Sequence, residues 1–323
     1  MGSFLDKGLI FCGCSFTFGQ GLWHYSKLKH QYIPTHFEFD REKVSGGHIK
    51  YAQLNRFSRL VANHFNTFDV VKSDNGGSDD VSLKFLEVCF RRDNPYNKDF
   101  LFLLENQFFN FNYDDIEYII YQVTQPQRSW FEFEINQNNY TWEQICEVRE
   151  FISPNNEFKF ATPGFMKQEK IILRTDFYTT EKDKKYLISI MFFDWLEKQN
   201  LSVEKWLDEI HSVTIKNRIK EKMEFYESKG IKTRFIIWPG NILKHYTNDE
   251  FFSDRLIKIE VKKEDKSLFD LYPCLDMVIN YNKGMTIDDD DLIDNSIKDH
   301  HPSKKFHEII ANSIIKNIEK NLI

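Results

Sequence analysis

Residues 7–19 read KGLIFCGCSFTFG. Leu9 to Cys12 form a short continuous apolar run, and Gly13 ends it. A run of this kind fits a strand buried on both faces, as in a parallel sheet covered by helices. Beyond it the chain turns small and polar, with Gly13, Cys14, Ser15 and Thr17. Open parallel sheets bind ligands beyond the carboxyl ends of their strands. The turn after this strand therefore falls where chemistry is expected.

The pattern recurs along the chain. FDVV gives a strand at about 68–72 and empties into SDNGGSDD. DDIEYIIYQVTQPQR gives one at about 116–123, stopped by Pro126. IKTRFIIWPGN (231–241) ends in Pro239-Gly240, and LDMVIN (275–280) is a candidate fifth strand. Helical spacing separates them. Leu54, Phe57, Leu60 and Val61 share a face in YAQLNRFSRLVANHF (51–65). DVSLKFLEVCFR follows with Asp79 or Asp80 in its first turn. Residues 181–229 are helical in pattern, and Gly230 is a natural stop. The chain closes on SKKFHEIIANSIIKNIEKNL, with Phe306, Ile309, Ile310, Ile314, Ile315 and Ile318 on one face. Strands alternating with helices predict an α/β fold with a central parallel sheet of about five strands and helices on both faces. The chain reads as one α/β domain over 1–323, with insertions at about 23–50 and 130–180.

Composition narrows the function classes. The 323 residues carry a net charge of −6, which argues against a partner gripped along its phosphates. Five scattered cysteines do not read as a disulfide framework and suit a reducing compartment. MGSFLDKGLIFCGC lacks a basic region followed by a long apolar one, and MGSFLD has Asp6 where a myristoylation signal prefers Ser or Thr. No apolar run approaches the length of a membrane span. The expectation is a cytoplasmic protein with no nucleic-acid and no membrane partner.

A serine nucleophile needs a base, an orienter for that base and donors for an oxyanion. Ser15 stands at the end of the first strand with its own N–H. Gly77, after the second strand, has no side chain to block a backbone donor. Thr124 and Gln125, after the third, add side-chain donors. DHHPS (299–303) supplies Asp299 and His301 on one loop before the last helix. His301 is a candidate base toward Ser15, and Asp299 a candidate to hold its tautomer. Arg128 is either a surface ion-pair partner or a contact for an anionic substrate group.

These blocks resemble the SGNH, or GDSL-type, hydrolases, whose fold is a flavodoxin-like α/β/α sandwich. GCS (13–15) is similar to the family's GDS motif, with Cys14 in place of the acidic residue. NGGSDD (75–80) is similar to its second block at Gly77, and DHHP (299–302) to a shortened last block. In the third block QVTQ (122–125) puts Thr124 where the family has Asn. The resemblance implies Ser15 as nucleophile, His301 as base, Asp299 as orienter, and the Ser15 and Gly77 N–H groups in the oxyanion hole. It implies no cofactor. The substrate expected is a small-molecule or glycan ester. Acyl transfer by the same residues, and a fold kept for binding without catalysis, remain as alternatives. The G-x-S-x-G elbow of α/β-hydrolases is not met, because Thr17 takes the second glycine's place. Zinc at Cys12, Cys14, His300 and His301 is disfavoured: C-x-C is not the usual spacing, although strand alternation would put both cysteines on one face. Cys14 as nucleophile is a further reading. The DDDD run (288–291) lacks calcium-loop spacing and reads as a solvated loop.

Overall fold

A computed structural model describes residues 5–14, 17, 19, 22, 46–71, 78–90, 111–134, 141, 143, 164–167, 170–174, 187–238, 240–259 and 304–322. Among the described residues, four parallel strands form the central sheet in the order β2-β1-β3-β7: β1 (Gly8–Cys12), β2 (Asp69–Val71), β3 (Ile116–Val123) and β7 (Lys232–Ile237). β1 pairs with β2 through Ile10↔Val70 and with β3 through Cys12↔Tyr121, and β3 pairs with β7 through Gln122↔Ile236. The candidate strand at 275–280 lies outside the described residues.

Each strand is buried on both faces, so its residues alternate between two cores. Ile10, Cys12, Ile119, Tyr121 and Val123 face one core. There they meet α3 (Asp79–Phe90) and α5 (Ser212–Glu227) through Phe85, Leu86, Ile219 and Met223. Leu9, Phe11, Tyr118 and Ile120 face the other. There Phe57 and Val61 of α2 (Phe57–His64) and Phe306, Ile310, Ile314 and Ile318 of α8 (Lys304–Lys320) close the layer. This is the three-layer α/β/α arrangement expected from the alternation of runs.

The helix expected over 51–65 is two: α1 (Gly46–Asn55) and α2, broken at Arg56, whose backbone is extended. The break turns Leu54 outward, 53% exposed, while Phe57 and Val61 stay buried. It also leaves the first N–H of α2 without an intrahelical acceptor. His307 Nδ1, on α8, accepts that N–H from Phe57 at 3.1 Å, with the two rings stacked. Since α2 runs toward the start of β2, this contact sets the first turn of α8 at the carboxyl end of the sheet.

The insertion expected at about 130–180 carries strands. β4 (Trp130–Glu134), β5 (Gly164–Lys167) and β6 (Lys170–Arg174) form an antiparallel sheet in the order β4-β6-β5. α4 (Leu187–Lys198) packs on it, with Phe131 and Phe133 against Phe192 and Trp195. A π-helical turn, Trp206–His211, leads into α5. After α5, Gly230 takes φ +87° and its N–H bonds to Glu227 O, ending the helix where the sequence places the stop. α6 (Leu243–Thr247) and α7 (Glu250–Ser253) follow β7. No helix among the described residues is long and apolar enough to cross a membrane.

Candidate active site

The carboxyl ends of β1 and β3 and the first turn of α3 meet in a buried polar cluster. Strand β1 stops at Cys12, and the chain turns: Thr17 N–H donates to Cys14 O at 3.0 Å, closing a turn across positions 14–17. This turn overturns one expectation. Cys12 packs in the core under α3 and α5, whereas Cys14 packs in the opposite core. Strand alternation no longer applies past Cys12, so the two thiols are on opposite sides of the sheet.

Gln122, buried in β3, reaches the turn on that opposite side. Its Oε1 accepts from the Thr17 hydroxyl, and its Nε2 donates to Cys14 Sγ at 3.2 Å. Gly13 leaves room for this. A Cβ there would lie 2.7 Å from Gln122 Oε1 and closer still to Thr17 Oγ1.

On the other side of the sheet Asp79 joins α3 to β3. Ser78 begins the helix by accepting Val81 N–H on its hydroxyl at 3.3 Å and Ser82 N–H on its carbonyl at 3.0 Å. Asp79 then points inward, 1% exposed. Its Oδ1 accepts from Tyr121 OH at 3.2 Å and Thr124 N–H at 3.3 Å, and its Oδ2 accepts from Thr124 Oγ1 at 3.1 Å. Burial, aided by the charge of Asp80, pushes the Asp79 carboxyl up to about 7 against the pull of these three donors. Burial, then the Asp79 charge, raises the Tyr121 phenol well above its usual range. Ser82 Oγ donates to Gly13 O at 3.5 Å, tying α3 to the β1 turn as well.

Beyond β3, Pro126–Arg128 form a 3₁₀ turn. The Arg128 guanidinium lies 4.5 Å over the Trp238 ring, and Trp238 N–H donates to Val123 O at 3.1 Å, so the ends of β3 and β7 are joined there. His211 packs from the π-helical turn, its Nε2–H donating to Pro126 O at 2.9 Å and its ring stacked on Trp206. Burial pushes this imidazole down to about 4, so it is neutral near pH 7.

Of the residues chosen from sequence, Thr124, Gln125 and Arg128 are described and sit together at the end of β3. Thr124 is fully buried, and both its donors are directed to Asp79. Gln125 is half-buried and its carbonyl accepts Arg128 N–H at 2.9 Å. Ser15, Gly77, Asp299 and His301 lie outside the described residues. Sequence reasoning took Asp79 only as a first-turn helix residue and passed over Gln122. The signal for both was polarity out of place: a lone amide inside the apolar run IIYQV, and a second acidic residue where one suffices for a helix start.

No protein-family model matches the chain, and no curated protein sequence matches it. Among solved structures it is similar to a carbohydrate esterase whose active site is described as displaying divergent catalytic and non-catalytic binding functions. That likeness has 13% identity and a TM-score of 0.35, and covers 97% of this chain and 68% of the other. A likeness of this degree carries no argument about chemistry, which has to come from the residues above.

Proposed function

We propose that the protein is a serine-dependent ester hydrolase of the SGNH type, removing a small acyl group from a carbohydrate or other small substrate. One observation carries the reading: described residues bordering each sequence block lie at the carboxyl edge of one sheet. Cys14 and Thr17 flank Ser15, Ser78 follows Gly77, Thr124 ends β3, and Lys304 begins α8 just after His301. The first three borders are hydrogen-bonded to one another through Gln122, Ser82 and Asp79. The fourth reaches the same edge through the His307 contact to α2.

In this mechanism Ser15 Oγ attacks the acyl carbon as His301 takes its proton, and Asp299 holds the imidazole in the tautomer that accepts it. The oxyanion is met by the Ser15 and Gly77 N–H groups. His301 returns the proton to the leaving alcohol, and water then cleaves the acyl-serine, releasing the acid. Arg128, half-buried over Trp238, is assigned to the substrate. Gln125 stands beside it as a polar contact. Cys14 is a poor competitor for the nucleophile's role, since the residue is 1% exposed and its sulfur is held by Gln122. No cofactor takes part.

The engagement of both Thr124 donors by Asp79 favours one other reading, a fold kept for binding with a weakened oxyanion hole. Hydrolysis of p-nitrophenyl acetate by the wild type and by folded Ser15→Ala decides between them. Esterase function predicts turnover that is lost in the variant. Turnover at the same rate in both, or in neither, rejects it. Acyl transfer is separated by product analysis with an alcohol acceptor present.

A further inference from the structure

Gln122 is 1% exposed in β3, an inner strand of the sheet, where it pairs with Ile236 of β7 and its neighbour Tyr121 pairs with Cys12 of β1. Burying an amide there costs free energy unless both of its ends are bonded. Both ends are bonded, and to the same turn. The carbonyl oxygen takes the Thr17 hydroxyl and the amide nitrogen reaches Cys14 Sγ at 3.2 Å. Thr17 N–H closes the turn onto Cys14 O at 3.0 Å. Thr17 and Cys14 are themselves buried, at 2% and 1% exposed. A planar side chain on a rigid strand thus grips the turn at its first and last positions. Gly13 is the size-limited residue that lets the grip close.

We infer that Gln122 is a positioning residue that fixes the turn bearing Ser15 through Thr17 on one side and Cys14 on the other. The inference rests on the esterase reading above. Gln122 touches neither substrate nor the reacting atoms. It acts by limiting the positions open to the nucleophile's backbone, which matters because small misplacement of a reacting group is costly in rate.

The test uses Gln122→Met, Thr17→Val, the double variant and Thr17→Ser, each checked for folding by circular dichroism and thermal melting. The readouts are the second-order rate of labelling by a fluorophosphonate probe and the kcat and KM for p-nitrophenyl acetate. Each of the first two variants should lower the labelling rate on the order of tenfold or more, through kcat rather than KM. The double variant should lose no more than the worse single one, since both remove one shared bond. Thr17→Ser, which restores the hydroxyl, should stay within about threefold of wild type. Folded variants that label at the wild-type rate, or losses that multiply in the double variant, overturn the positioning role alone. A folded wild type that takes no label overturns the esterase reading, and the role of Gln122 with it. Should Gln122→Met fail to fold, the Thr17 pair decides by the same criteria.

Discussion

Replacing Asp79 by Asn isolates the most perturbed carboxyl of the candidate site. The carboxyl is raised from 3.8 to about 7, chiefly by burial. Between those two values the folded protein keeps the proton and the unfolded chain has lost it. Unfolding then releases a proton, and stability falls as the pH rises. The contribution is fully present below about pH 4 and gone above about pH 7, with a span on the order of 4 kcal/mol. Asn has nearly the same shape and no proton to lose. Its oxygen still accepts from Tyr121 OH and Thr124 N–H, and its NH₂ can donate to Thr124 Oγ1. Urea unfolding of both proteins, followed by tryptophan fluorescence from about pH 5 to pH 8.5, yields the difference in stability. That difference should move in favour of Asp79→Asn by about 1.4 kcal/mol per pH unit up to neutrality and then level off. His211, whose lowered pKa gives the opposite slope, is common to both proteins and drops out. A difference that stays constant from about pH 5 to pH 8 would mean that Asp79 is an ordinary ionised acceptor, and the reasoning from burial would fail.

Gly13→Ala forces a methyl group against Thr17 and Gln122, so it should destabilise by about 1–3 kcal/mol in urea melts; wild-type stability would show that the turn is loose. The His211 ring, buried and bonded to Pro126 O, should hold its NMR shifts from about pH 7.5 to pH 5.5 while exposed histidines titrate. Movement of its signals near pH 6.5 would contradict the packing against Trp206 and Phe131.

The sheet was legible because its strands are nearly uninterrupted apolar runs, and each described one falls where its run predicts. The closing helix was legible for the same reason, its buried residues recurring at Phe306, Ile310, Ile314 and Ile318. The small antiparallel sheet was not. KIILR is an apolar run and WFEFE alternates apolar and acidic residues, but each is only five residues long and GFMK four, and their pairing across the polar stretch between them leaves no local pattern. The break at Arg56 was hidden because the apolar spacing continues across it. At the candidate site, the glycine and small polar residues that follow the strand runs, such as Gly13, Ser78 and Thr124, lie at the carboxyl edge of the sheet. The partners that order it were not visible, because a hydrogen bond spanning 105 residues, as from Thr17 to Gln122, leaves no local pattern. The same holds for Asp79 and Thr124, 45 residues apart. The two faces of the β1 turn were misread for a related reason: alternation is a property of strands, and Cys14 lies past the end of one.

The central claim is that Ser15 is an activated nucleophile. It is tested most directly by treating the folded protein with a fluorophosphonate probe and locating the adduct by peptide mass spectrometry. The account predicts a single phosphonylated site on Ser15, absent from Ser15→Ala and strongly slowed in His301→Ala. A folded wild-type protein that takes no label, or one labelled elsewhere with Ser15 intact, would contradict it.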